Sequence, residues 1–216
     1  MKKSILIFGD SNTWGWKPEN GEYDPPQRWE DEVRWPGVLQ SELGEAYKVI
    51  ADGLNGRTSV WDDPLTPFRR GADQILPVMQ SHSPLDLLVI ALGTNDLKVR
   101  FCATARDIAR GAAALVTLAL GQREVFTGAP RVLLIAPPPL GSLDRGMHRF
   151  TFDEAGVEKS RRLGPLYGAA ARSLGAAFLD AGKVIKSSDT DGLHLDPDQH
   201  ALLGRAVAEN IRDLGL

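Results

Sequence analysis

Leu85-Asp86-Leu87-Leu88-Val89-Ile90-Ala91-Leu92, closed by Gly93-Thr94-Asn95-Asp96, is the stretch on which the fold turns. A short run, continuously apolar from Leu87 to Leu92 and ended by glycine, reads as a strand buried on both faces. It is far shorter than the ~18 residues a membrane span requires. Residues 131–136 repeat the pattern with Val132-Leu133-Leu134-Ile135-Ala136. Residues 4–8, 48–51 and 177–179 complete a set of five strands. Between them, 36–43, 72–81, 104–120 and 153–174 carry helical spacing. A last helix, 197–214, is introduced by Asp196 at the cap position and Pro197 at the first helical position.

Alternating strands and helices predict a parallel sheet covered on both faces. With right-handed crossovers, the expected fold is α/β: a flavodoxin-like three-layer αβα sandwich around a five-stranded parallel sheet, in strand order 2-1-3-4-5. Neither a linker nor a repeat divides the chain, so residues 1–216 are expected to form a single domain.

Composition narrows the function classes. The 216 residues are 43% hydrophobic and 25% charged, as in ordinary globular proteins. Twenty-eight acidic residues against 25 basic ones give a net charge of −3, leaving no cationic excess to neutralise phosphates. Nucleic acid is therefore not an expected partner. A lone cysteine, Cys102, cannot form a disulfide within the chain and reads as a small buried hydrophobe. The opening Met1-Lys2-Lys3-Ser4-Ile5-Leu6-Ile7-Phe8 has the look of a secretory leader. Its apolar run stops at Gly9-Asp10, short of the roughly 7–15 residues such leaders carry, and it reads as the first strand. A cytoplasmic protein without membrane contact is the expectation.

In open parallel sheets, ligands bind beyond the carboxyl ends of the strands. Strand one delivers Gly9-Asp10-Ser11-Asn12 to that edge, and strand two leads to Gly53-Leu54-Asn55-Gly56-Arg57-Thr58. Strand three ends in Gly93-Thr94-Asn95-Asp96, and Asp191-Gly192-Leu193-His194 precedes the last helix. These are the parts of an acyl-transfer site. Ser11 is the candidate nucleophile at a strand-to-helix turn. His194 is the candidate general base, and Asp191 can hold its tautomer and stabilise the imidazolium. Gly56 and Ser11 can offer backbone N–H groups, and Asn95 its amide, to a developing oxyanion. Taken singly, Gly-Asp-Ser also reads as a helix cap, and Asp-x-x-His is common. Their joint occurrence at strand ends favours catalysis.

These four blocks, FGDSNTWGW, GLNGRTS, LGTND and DGLHL, resemble in order and spacing the SGNH (GDSL) hydrolase family. The likeness spans the whole chain and is closest to the bacterial arylesterase and acyltransferase (perhydrolase) subgroup. The resemblance implies a serine esterase with Ser11, Asp191 and His194 as triad and Ser11, Gly56 and Asn95 as oxyanion donors. Gly56 is preferred because Gly56-Arg57-Thr58 matches the family's glycine-x-threonine register; Gly53 is the alternative. Asn12 stands where the family usually has leucine, which makes it a candidate for substrate choice.

Trp14 and Trp16 read either as core aromatics or, for Trp16, as the wall of a narrow acyl site. Phe150 and Phe152 are candidates for the opposite rim, and His148 for the pocket. Two long loops, 17–34 (with Tyr23 and Trp29) and 137–152, are expected to be functional. The resemblance implies a homo-oligomer in which they pack between subunits. His82 and His200 are read as structural. Asp62-Asp63 and Asp189–Asp191 are short acidic clusters read as solvated loop, without His or Cys at metal-ligand spacing. Neither metal nor cofactor is expected, and the partner is a small ester. The rival reading is a flavodoxin-like module that binds a small molecule or phosphate without catalysis.

Overall fold

The computed structural model describes residues 2–20, 25–144 and 150–216. Its centre is a five-stranded parallel sheet in the order β2-β1-β3-β4-β5. The strands are β1 (Lys3–Gly9), β2 (Tyr47–Gly53), β3 (Leu87–Ala91), β4 (Val132–Ala136) and β5 (Ala177–Asp180). The expected α/β order is the observed one.

Strand periodicity sorts the core into two layers. Leu6, Phe8, Leu88, Ile90 and Leu134 point to one face, where α3 (Gly71–Ser81), α4 (Ala105–Leu120) and α6 (Leu163–Leu174) cover them. Ile5, Ile7, Leu87, Val89, Leu133 and Ile135 point to the other, under α2 (Trp35–Leu43) and α7 (Pro197–Asp213). The fully buried imidazole of His200 on α7 accepts the Trp35 N–H at 3.3 Å and ties α7 to α2, the structural role read for it. His82 caps the end of α3.

Three local expectations change. The helix expected over 153–174 is two, α5 (Glu154–Ser160) and α6. Ser160 Oγ donates to the Val157 carbonyl at 2.6 Å and accepts the Leu140 N–H at 2.9 Å, so it serves the neighbouring loop. Pro165 then falls in the first turn of α6, where its missing N–H costs nothing. Asp196 holds the cap position of α7 without capping it, because its carboxylate accepts from Ser188 Oγ. Cys102 is exposed rather than buried: the left-handed backbone there turns the chain from β3 into α4.

The described residues of the loop at 17–34 are fastened to the strand-one turn and to the segment after His194. Arg28 donates to the Trp14 carbonyl at 2.5 Å, and Trp29 donates to the Leu195 carbonyl at 3.3 Å. Tyr23, His148 and Arg149 lie outside the described residues. Among the described residues no helix is long and apolar enough to cross a membrane.

Candidate active site

The end of β1 turns at once into α1 (Ser11–Trp14). Asp10 caps it by accepting the Asn12 N–H at 3.0 Å. Ser11 thus opens a helix with its hydroxyl at the sheet edge, and its N–H donates to no described residue. His194 arrives from the loop before α7, and its Nε2 lies 3.0 Å from Ser11 Oγ. Its Nδ1 lies 2.6 Å from Asp191 Oδ2, while Asp191 Oδ1 accepts the N–H groups of Leu193 and His194 at 2.9 Å each. Burial pushes the Asp191 carboxyl up, but the hydrogen bonds from His194 and Leu193 outweigh it and hold the pKa below the ordinary value.

Ser11 and His194 open into a cavity of about 220 Å³, whose lining includes Trp16, Gly56, Asn95, Lys98, Arg100 and Phe152. Gly56 sits at φ +80°, a left-handed conformation that favours glycine, and its N–H donates to no described residue. Gly53 lies elsewhere: a Cβ there would collide with the backbone of Trp14. Asn95, in the turn after β3, donates one amide N–H to the Arg57 carbonyl at 3.2 Å. Two backbone donors and one amide therefore border the space beside Ser11 Oγ, the arrangement that an oxyanion needs.

Of the residues expected to contact substrate, Trp16 and Phe152 line the cavity. The Trp16 ring stacks on His194, with centroids 5.6 Å apart. Phe150 is exposed and lies outside that lining. Asn12 is a correction: its Nδ2 donates to the Leu193 carbonyl at 3.3 Å, and it lines a separate apolar void of about 30 Å³. It braces the loop that carries His194, because α1 turns its side chain away from the cavity.

Asp63 is a second correction. Instead of a solvated loop acid it is 1% exposed, and it pairs with Lys98 Nζ at 2.8 Å and Arg100 Nε at 3.2 Å. Burial alone would raise its pKa, but Lys98, the Leu65 N–H and Arg100 hold it down. Burial lowers that of Lys98, against the pull of Asp63. Asp62 and Asp189 are exposed, as expected of loop acids.

The sequence reading also missed Arg57. Its buried guanidinium donates to the Gly9 carbonyl at 2.8 Å, the Asp52 carbonyl at 2.7 Å and Gln74 Oε1 at 2.9 Å, over the Phe8 ring. The signal available was an arginine inside a strand-end block, where a surface cation has no reason to sit. No group of three or more His, Cys, Asp or Glu side chains placed to hold a metal stands among the described residues.

A serine, histidine and aspartate in line at the carboxyl edge of a parallel sheet define a hydrolase of the serine type. Residues 7–202 match the GDSL-like Lipase/Acylhydrolase family, and the chain belongs to it: it is an ester hydrolase of that family. Among solved structures, a carbohydrate acetylesterase from Sinorhizobium meliloti is 39% identical, with TM-score 0.93 over 99% of this chain and 100% of that one. An aryl esterase from M. smegmatis is 41% identical, with TM-score 0.91 over 98% of this chain and 99% of that one. A comparison with curated proteins gave no match.

Proposed function

We propose that this ester hydrolase acts on small esters with short acyl groups, through an acyl-enzyme on Ser11. The observation that carries the reading is the line from Asp191 through His194 to Ser11 Oγ, at 2.6 and 3.0 Å, opening into a cavity of only about 220 Å³. That is below the roughly 300–1,000 Å³ of sites for drug-sized ligands. The carbohydrate acetylesterase among the similar structures agrees with a small acyl group.

Ser11 Oγ attacks the ester carbonyl as its proton passes to His194 Nε2, and Asp191 stabilises the imidazolium. The carbonyl oxygen becomes an oxyanion held by the N–H groups of Ser11 and Gly56 and the free amide N–H of Asn95. The C–O bond to the alcohol then breaks, and the alcohol leaves with the His194 proton. Water, activated by the same imidazole, attacks the acyl-enzyme and releases the acid and free Ser11. Another alcohol or peroxide entering in place of water would carry the acyl group away, which is the acyltransferase branch.

In this reading residues 1–216 act as one catalytic domain in the cytoplasm. The exposed side chains of Leu65 and Phe68, which flank the cavity-lining Thr66 in sequence, support a homo-oligomer, because neighbouring large apolar groups left exposed mark contact surfaces. Light scattering at micromolar concentration should show more than the monomer mass; monomer alone would refute the oligomer. A 4-nitrophenyl ester series tests the function. Acetate should have the highest kcat/KM, with a steep fall beyond butyrate. Preference for octanoate would overturn the short-acyl reading, and no turnover would overturn the esterase.

A further inference from the structure

One wall of the cavity carries more positive charge than its own acid balances. Lys98 and Arg100 both line it and share the carboxylate of Asp63. The aliphatic stem of Arg69 lies 3.8 Å from where a Cβ on Gly56 would stand, and among the described residues its guanidinium donates only to the carbonyls of Asn55, Pro67 and Phe68. Asp96, the other acid near Lys98, is turned to the N–H and hydroxyl of Ser59. The Lys98 ammonium spends one of its three donors and the Arg100 guanidinium one of its five on Asp63, and neither side chain hydrogen-bonds another described residue. The Lys98 side chain is 7% exposed and that of Arg100 23%. Cations withdrawn from water to this degree are costly unless paired. The apolar part of the lining is Trp16, Leu193 and Phe152.

We propose that Lys98 and Arg100 form an anion subsite, so that the preferred substrates are esters carrying a carboxylate a few bonds from the scissile carbonyl. The short neutral arm lies against Trp16 and Phe152. The carboxylate meets the Nη edge of Arg100 and the spare donors of Lys98, charge-assisted bonds that Asp63 leaves open. This inference rests on the esterase reading and adds the substrate class. The carboxylate can sit on the acyl arm, as in a half-ester of a dicarboxylic acid, or on the alcohol arm, as in an acylated hydroxy acid.

The test measures acid release from monomethyl succinate and acetoxyacetate against their neutral counterparts, methyl butyrate and ethyl acetate. In low salt at least one carboxylate ester should exceed its counterpart in kcat/KM by about tenfold, and which one identifies the arm. The advantage should shrink as salt rises toward about 1 M, where screening reaches ~3 Å. Arg100→Gln should lower the carboxylate-to-neutral ratio by about tenfold, and Arg100→Lys should lower it less. Neutral esters turned over at least as well as both carboxylates would overturn the subsite, as would a ratio unmoved by Arg100→Gln; the esterase reading would survive either result. If 4-nitrophenyl acetate too is untouched, the esterase reading itself fails and the subsite with it.

Discussion

The side-chain amide of Asn95 donates to the main-chain carbonyl of Arg57 at 3.2 Å, so one of its two N–H groups is committed to fixing the other. The bond joins the turn after β3 to the turn after β2, and Gly56 precedes Arg57 directly. In the proposed mechanism this bond holds two oxyanion donors from different strands in register before substrate arrives, the preorganisation that makes such a site effective.

Asn95→Ala should lower kcat by a factor of ~10²–10³. It should also lose about 1 kcal/mol of stability with the hydrogen bond to Arg57. Steady-state kinetics alongside urea unfolding separates the two effects. Near-normal kcat in a folded variant would remove Asn95 from the oxyanion site.

Arg57 acts on the site from behind it. Its guanidinium holds the Gly9 carbonyl, two residues before Ser11, and joins it to the end of β2. Lysine keeps the charge but not the fork, so Arg57→Lys should lower kcat with little change in KM. The lost charged hydrogen bonds should cost stability by ~1.5–3 kcal/mol each. A rise in KM at constant kcat would show that Arg57 serves binding instead.

Trp16 stacks on His194 and bounds the cavity. Trp16→Ala should raise the kcat/KM ratio of butyrate over acetate by about tenfold, since one or two methylenes in a pocket are worth ~1–3 kcal/mol. The 4-nitrophenyl series reads this directly. An unchanged ratio would place the acyl group elsewhere.

Asp96 is fully buried, and that burial raises its pKa from 3.8 to about 6, against the hydrogen bonds from Ser59. Between these values the folded chain holds a proton that the unfolded chain has released. The stabilisation is complete below the lower value and lost as pH rises through the upper one. Asp96→Asn escapes that loss. Its stability relative to the parent should therefore climb between about pH 4 and pH 7, by on the order of 2 kcal/mol. A difference that stays flat across this range in urea titrations would contradict the assignment.

The strand order and the meeting of Ser11, Asn95 and His194 at one edge were legible because continuous apolar runs and strand-end blocks are local signals. Asn12 was misplaced because a sequence gives the turn but not the face of α1 on which a side chain falls. Asp63 looked like loop because its partners, Lys98 and Arg100, come from a different strand end, and only the fold pairs them. The break at Ser160 was hidden for a related reason: a serine inside a helical pattern signals nothing until Leu140 needs its hydroxyl.

In the proposed mechanism Ser11 is the nucleophile, activated by His194. Intact-mass analysis after treatment with a fluorophosphonate, followed by peptide mapping, tests it most directly. One adduct per chain, located on Ser11 and absent from Ser11→Ala, is the predicted result. No adduct on an ester-hydrolysing protein, or an adduct on another residue that persists in Ser11→Ala, would contradict it.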